Sequence, residues 1–179
     1  MEYRLLQNPE QIRRKFARAF LESYESFSVH HKEWIAKLPI AFNKEFYDTM
    51  FMWDRIIEPA CRICFADALE VLNHKKCDVL FLTESPQSCS RQRCRLNNQF
   101  QYVAVADAQA LAECISYEWF TEYELLEQGR YLADPILPSE VYVFDKSFSW
   151  CLIFTHETDE TETAESRLCL FIGDNVPNP

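Results

Sequence analysis

The sequence predicts an α+β fold in which N-terminal helices pack on one face of an antiparallel sheet of about four to five strands, formed mainly by the C-terminal half. Helical periodicity dominates the first 75 residues, and short apolar runs separated by turns dominate the last third. With 48% hydrophobic residues and 14 Phe, the chain can build one large core. We therefore expect a single domain over residues 1–179, with a helical part at about 8–75, a sheet-rich part at about 79–173 and a short tail at 174–179.

The helical part is predicted from caps and apolar stripes. Asn8 and Pro9 are typical of a helix start, and an apolar stripe then runs to Phe27. Further helices are predicted at residues 30–38, 43–57 and 59–74. The inner stripe of the last helix includes Cys61 and Cys64.

Helices and strands are both predicted in the rest of the chain. A buried strand at 79–83 is followed by a polar loop at 85–98, a strand at 101–105, and a helix that Asp107 caps and that runs towards Phe120. The remaining predicted elements are a strand at 141–144, a turn at 145–147, a strand at 150–155, an acidic loop at 156–165 and a last strand at 167–172. These strands favour an antiparallel meander.

Composition excludes several classes of function. With only Gly129 and Gly173, the chain has no glycine-rich phosphate loop, and we expect no nucleotide cofactor. The net charge is -10 overall; residues 101–179 carry 3 Lys/Arg against 15 Asp/Glu, a net of -12. That charge disfavours nucleic acid and favours a basic protein partner.

Targeting signals are also missing from the sequence. No run of about 18 apolar residues is present, so we expect no membrane span. The N-terminal residues do not form a secretory signal, which predicts a cytoplasmic protein with reduced thiols.

Cysteine spacing offers one metal hypothesis. Cys61, Cys64, Cys89 and Cys94 form two pairs that provide four soft ligands of the kind zinc prefers. Against this, the first pair falls on the apolar stripe of a predicted helix, where Cys acts as a small hydrophobe. Arginines flank Cys89 and Cys94, which makes a redox role of that loop an alternative.

A catalytic hypothesis centres on Thr155, His156 and Glu157 at a strand end. A histidine beside a carboxylate suits general-base or metal chemistry, with Asp145 or Glu84 as further members. Adjacent strand residues point to opposite faces, however, and the alternative is that His156 only forms hydrogen bonds that end the hairpin while Glu157 begins a solvated loop.

The acidic segment 156–165 offers a partner-binding hypothesis. Its carboxylates lack the central glycine of a calcium loop, whereas carboxylates along a loop can cover a basic surface of another protein. The candidate partner-binding residues are Glu157, Asp159, Glu160, Glu162 and Glu165. A solvated acidic loop is the alternative.

Residues 140–157 resemble the sequence signature of a protein family. Asp145, Phe148, Trp150 and the closing Thr155-His156-Glu157 resemble the C-terminal signature of a family of uncharacterised bacterial proteins, Y-V-F-D-x-x-F-x-W-x4-T-H-E. Small acidic cytoplasmic proteins of this character are similar to immunity proteins that neutralise bacterial toxins. In physical terms, Asp145 is expected to cap the turn, and Phe148 and Trp150 to pack on one sheet face.

The sequence therefore favours a non-enzymatic, acidic protein-binding module of the immunity-protein kind. A small enzyme or metal protein built on His156, Glu157 and Asp145 is the first alternative, and a regulatory or scaffold subunit is the second. The oligomeric state is not predicted.

Overall fold

The computed structural model of the protein describes residues 1–84, 94–96, 103–159, 161 and 163–173. Within these ranges the chain folds into a mixed α+β structure around one antiparallel sheet. The predicted tail at 174–179, most of the predicted loop at 85–98, and Cys89, Glu160 and Glu162 lie outside the described residues. No helix in the described ranges is long and apolar enough to cross a membrane.

The sheet has seven strands where the sequence predicts four or five. The strands are β1 (Arg4–Leu5), β2 (Cys61–Ile63), β3 (Asp78–Glu84), β4 (Val103–Asp107), β5 (Glu140–Phe144), β6 (Cys151–Thr158) and β7 (Arg167–Ile172). They lie in the order β1-β4-β3-β5-β6-β7-β2, and every neighbouring pair is antiparallel. The two strands missed by the prediction are the edge strands β1 and β2, which are too short to show an alternating pattern.

Six α-helices lie within the described residues: α1 (Pro9–Phe20), α2 (Tyr24–His30), α3 (Lys32–Ile35), α4 (Lys44–Thr49), α5 (Phe65–His74) and α6 (Ala108–Glu127). Short 3-10 turns occupy Trp53–Arg55 and Ala164–Ser166. Asp107 caps α6 as predicted, because its carboxylate accepts a hydrogen bond from the Ala110 N–H at 3.0 Å.

Four predicted helices have wrong boundaries. The helix predicted at 30–38 is only α3 (Lys32–Ile35), because His30 ends α2. The first helix ends at Phe20, not Phe27, because Leu21 is extended and pairs with Ile56, and Ser23 then caps α2. The predicted helix 43–57 is α4 followed by extended chain and a 3-10 turn. Residues 61–63 form β2 against β7, so the helix predicted from residue 59 begins only at Phe65.

The helices cover both faces of the sheet, and the expectation that they cover one face is wrong. On one face, α5 and α6 bury a core that includes Phe65, Phe81 and Phe154. On the other face, α1 and the chain around Met52 bury a second core with Phe16 and Tyr142. Both faces of β3, β5 and β6 are therefore apolar, which explains their nearly continuous hydrophobic runs.

Two buried carboxylates on α6 fix the chain that leads into β5. Glu118 accepts hydrogen bonds from the N–H groups of Ile136 and Leu137 at 2.7 and 3.0 Å. Glu122 accepts one from the Leu132 N–H at 2.9 Å. Each carboxylate thereby satisfies backbone donors of an otherwise irregular segment.

Candidate functional site

Two buried carboxyl groups lie side by side where β3 and β5 end. Glu84 is the last residue of β3, Glu140 is the first of β5, and the two are direct cross-strand partners. Glu84 is 7% exposed and Glu140 is fully buried. Carboxyl groups this close in an apolar setting are costly to ionise together, so the site needs either a proton or a cation.

Burial favours the protonated form of Glu84, although its hydrogen bonds favour the ionised form. Its Oε2 accepts a hydrogen bond from the Tyr142 hydroxyl at 2.7 Å and one from the Met52 N–H at 3.1 Å. Burial nevertheless raises the pKa of Glu84 to about 7, and the nearby Glu140 charge adds to the increase. The same burial keeps the pKa of Tyr142 well above its ordinary value, so the phenol remains a hydrogen-bond donor.

Glu140 is paired with His156. Its Oε1 accepts a hydrogen bond from the His156 backbone N–H at 3.1 Å and also contacts Nδ1 of the ring. The hydrogen bond with Glu140 raises the pKa of His156, partial burial opposes the increase, and the charges of Glu140 and Glu157 add to it. The ring supplies the positive charge that a buried carboxylate requires. We refer to Glu84, Glu140 and His156 as the carboxyl cluster.

A strand irregularity brings Glu157 to the same place. The β6–β7 register shifts between Phe154 and Thr158, which is typical of a β-bulge. Nε2 of His156 consequently lies 3.3 Å from Oε1 of Glu157, although adjacent residues of a regular strand point to opposite faces. The His156 side chain is 34% exposed and that of Glu157 is 50% exposed, so Glu157 extends from the cluster into solvent.

Residues 51–55, here called the cover segment, lie over the cluster. The Met52 N–H donates to Glu84, the Trp53 N–H donates to the Tyr142 hydroxyl at 3.3 Å, and the Met52 side chain is buried. The rings of Phe51 and Trp53 lie 5.3 and 6.4 Å from the His156 ring. The backbone N–H groups of Met52 and Trp53 thus bond to side chains of the sheet.

Beside the cover segment runs a groove of about 580 Å³, here called the acidic groove. Its carboxylates are Glu157, Asp159 and Glu165, all exposed, and Trp53 is part of its wall. The other lining residues are Arg62, Ile63, Cys64, Thr158, Ser166, Arg167 and Leu168.

The two arginines of the groove differ. Arg62 is exposed, whereas Arg167 is 2% exposed and donates to the carbonyl oxygens of Thr155 and Ser139. The guanidinium of Arg167 also lies 4.2 Å from the centre of the Trp119 ring. Arg167 is therefore built into the protein, and Arg62 is the cation that the groove presents to solvent.

The predicted site residues separate into two places. His156 and Glu157 meet as proposed, but Asp145 follows β5 at its opposite end, beyond Phe144. Its carboxylate accepts hydrogen bonds from Ser147 and from Ser149, whose N–H lies 2.9 Å away. A three-residue site of His156, Glu157 and Asp145 is therefore not assembled.

Asp145 caps the turn as expected, but the two aromatic residues do not share a face. Phe148 has a positive φ of 58° and stacks on Phe144 under α1. Trp150 packs against the core under α5 and α6 instead. The prediction fails because Phe148 belongs to the turn, where side chains do not alternate as they do along a strand.

The cysteines do not form a ligand set in the described part of the chain. Cys61 lies in β2, and Cys64 is the N-cap of α5, where its sulfur accepts a hydrogen bond from the Asp67 N–H at 3.3 Å. Cys94 is buried, which disfavours the redox chemistry expected of an exposed thiolate. The described residues contain no group of three His, Cys, Asp or Glu side chains placed to hold a metal ion.

The sequence patterns did not indicate Glu140 or the cover segment as part of a site. The available signal was that apolar runs at 79–83 and 141–144 are each flanked by a glutamate, Glu84 or Glu140. A glutamate that borders a buried strand is expected to be exposed at the strand end. Only the cross-strand register shows that Glu84 and Glu140 meet. No protein-family model, curated protein or solved structure matches this chain.

Proposed function

We propose that this protein is a non-enzymatic binding module that engages a basic protein partner through the acidic groove, as an immunity protein engages a toxin. The observation that carries the proposal is that Glu157, Asp159 and Glu165 line one groove with exposed carboxylates. These are three of the five residues in which the sequence predicts partner contacts. Glu160 and Glu162 belong to the same chain segment and add to its charge.

The groove also offers apolar contact area. Trp53 lies in its wall, and tryptophan is among the residues that contribute most to protein interfaces. A lysine or arginine of the partner fits between the Trp53 ring and the carboxylates, where ring and charges both attract a cation. Arg62 fits an acidic group at the edge of such a basic surface and so limits which partners bind.

The test is native mass spectrometry of the tagged protein isolated from lysate of its source cells. A stoichiometric protein partner is expected with the wild type and is expected to be lost when Glu157, Asp159 and Glu165 are all replaced by Lys. A matched control replaces Glu113, Glu124 and Glu127 by Lys, since these exposed residues of α6 do not line the groove. Equal retention of the partner by both variants contradicts the proposal.

The hydrogen-bonded Glu140–His156 pair favours a second candidate function, a small enzyme in which His156 is a general acid or base. A buried carboxylate that orients a partly exposed imidazole is a common catalytic arrangement. Turnover of a panel of ester, amide and phosphate substrates, lost in His156→Gln, supports this alternative. Turnover that is unchanged in His156→Gln removes it.

A further inference from the structure

The cover segment is held to the protein in two different ways. At its C-terminal end, backbone bonds connect it to the end of α1: the Arg55 carbonyl accepts from the Glu22 N–H at 2.7 Å, and the Ile57 N–H donates to the Phe20 carbonyl at 3.0 Å. At its N-terminal end, the N–H groups of Met52 and Trp53 donate to the side chains of Glu84 and Tyr142. The first attachment involves no group that titrates near neutrality, and neither does the bond of Trp53 to Tyr142. The bond of Met52 involves Glu84, whose ionisation strengthens this hydrogen bond but is opposed more strongly by burial beside Glu140.

The closed position leaves two buried polar atoms unsatisfied. Oε2 of Glu140 and Nε1 of Trp53 are both buried and have no hydrogen-bond partner among the described residues. An unsatisfied buried group costs free energy that hydration recovers. Movement of the cover segment lets water reach these atoms, which offsets part of the cost of exposing the buried Met52 side chain.

The charges around the cluster oppose closure once the protons leave. The groups that face Glu84 are Tyr142, Glu140 and Arg55. Those that face His156 are Glu140, Glu157, Asp54 and Arg167. With Glu140 ionised, the cluster is neutral while Glu84 and His156 are protonated, and it carries about two negative charges when both are deprotonated.

We propose that residues 51–55 form a proton-controlled cover over Glu84, Glu140 and His156, closed while Glu84 and His156 hold their protons and lifted when both have lost them. The hinge is the junction with α1 at Arg55–Ile57, which keeps its backbone bonds in both positions. Lifting hydrates the carboxyl cluster, and the Phe51 and Trp53 rings leave the His156 ring.

The direction follows from the two groups. Glu84 has a raised pKa, so its contribution to closure is complete below the ordinary glutamate range and is lost as the pH rises towards about 7. His156 also has a raised pKa, so its charge pairing with Glu140 is complete below its ordinary value of 6.5 and is lost as the pH rises through the raised pKa. Both groups therefore favour the closed position in acid and the lifted position above neutrality.

Lifting also changes the acidic groove, because Trp53 lies in its wall. A cationic partner then meets the carboxylates of Glu84 and Glu140 in addition to those of Glu157, Asp159 and Glu165. This consequence for partner affinity rests on the proposed function, but the movement of the cover segment does not.

The test is residue-resolved amide hydrogen exchange on the full chain without a partner, from about pH 5.5 to 8.5, with intrinsic exchange rates divided out. Protection of the Met52 and Trp53 amides is expected to fall about tenfold or more across this range. Protection of the Ile57 amide, on the hinge side, is expected to change less than about threefold. Protection of Met52 and Trp53 that does not vary with pH, or that falls in parallel with Ile57, overturns the proposal.

Two variants separate the effect of Glu84 on the cover segment from general effects of pH. Glu84→Gln keeps the hydrogen-bond acceptor without the ionisation, so Met52 protection is expected to lose most of its pH dependence. Glu122→Gln is the control, since Glu122 is also a buried carboxylate that accepts a backbone N–H, and it is expected to leave the dependence intact. If Glu84→Gln keeps the wild-type dependence, the proposal is wrong; the wild-type measurement decides the matter even if this variant folds poorly.

Discussion

The two ends of the β5–β6 hairpin use their polar residues differently. At the turn, the Asp145 carboxylate accepts hydrogen bonds from the Ser147 hydroxyl and from the N–H and hydroxyl of Ser149. Partial burial opposes ionisation of Asp145, but these hydrogen bonds outweigh it and lower the pKa. At the open end, Glu84 and Glu140 are buried side by side, and Oε2 of Glu140 has no partner among the described residues.

The difference indicates which end has a local structural role and which end is the candidate functional site. A satisfied carboxylate that bonds only to its own turn has a local structural role. Buried carboxyls that need a proton and a histidine cost stability, and such cost is typical of binding and catalytic sites. Both ends belong to the segment 140–157, which therefore combines a structural turn with a candidate functional end.

The largest effect is expected when the open end loses Glu140. Glu140→Ala leaves the backbone N–H of His156 without its acceptor and removes the counter-charge of the ring. We expect a loss of about 3 kcal/mol in the free energy of unfolding at neutral pH, measured by urea denaturation. The pKa of His156, followed by NMR, is expected to fall in a variant that stays folded, such as Glu140→Gln. A loss below about 1 kcal/mol contradicts the importance of the pair.

A smaller and pH-dependent effect is expected at Glu84. Because folding raises its pKa from 4.5 to about 7, the wild type loses stability as the pH rises through this window. Glu84→Gln has no such ionisation, so it is expected to match the wild type at low pH and to exceed it by about 2–3 kcal/mol at pH 8. The check is denaturation across the pH range, and a difference between the two proteins that does not vary with pH is the contradicting result.

The turn end is expected to respond less strongly and without dependence on pH near neutrality. Asp145→Ala removes the acceptor of the Ser149 N–H, which is partly exposed and can bond to water instead. We expect a loss of about 1–2 kcal/mol in the free energy of unfolding. Asp145→Asn retains a hydrogen-bond acceptor and is expected to recover most of this lost stability. A loss that varies between pH 6 and 8 as strongly as that at Glu84 removes the contrast between the two ends.

The smallest effect on stability is expected in the acidic groove. Glu165 is exposed, so Glu165→Lys is expected to change the free energy of unfolding by less than about 0.5 kcal/mol. Asp159 is also exposed, but its carboxylate accepts a hydrogen bond from the Thr161 N–H at 2.8 Å, so Asp159→Lys is expected to cost about 1 kcal/mol. The same single replacements are expected to weaken partner binding and to reduce its sensitivity to salt. A large stability loss indicates a structural role for the groove carboxylates.

Much of the fold could be predicted because local patterns carry it. The runs at 79–83 and 141–144 indicate buried strands, and Asp107 marks the start of α6. The two edge strands, the break at Leu21 and the extension of β6 to Thr158 depend on pairing with distant segments, which periodicity does not record. The pairing of α1 with the second face of the sheet is likewise non-local.

The candidate site was predictable only in part. His156, Glu157 and the acidic segment are visible because polar residues follow an apolar strand. The contact of Glu84 with Glu140 depends on the β3–β5 register. The contact of His156 with Glu157 depends on a β-bulge, and no glycine marks that bulge in the sequence. The cover segment closes over residues about 30 to 100 positions away in the chain, so no local signal predicts it.

The most direct test of the acidic groove is the affinity of the captured partner for the wild type and for the Glu157/Asp159/Glu165→Lys variant, measured at low and high salt. The account predicts that the wild-type affinity falls as salt rises and that the variant binds at least about tenfold more weakly at low salt. The Glu113/Glu124/Glu127→Lys control is predicted to bind within about threefold of the wild type. Equal affinity of the wild type and the groove variant at low salt contradicts the account.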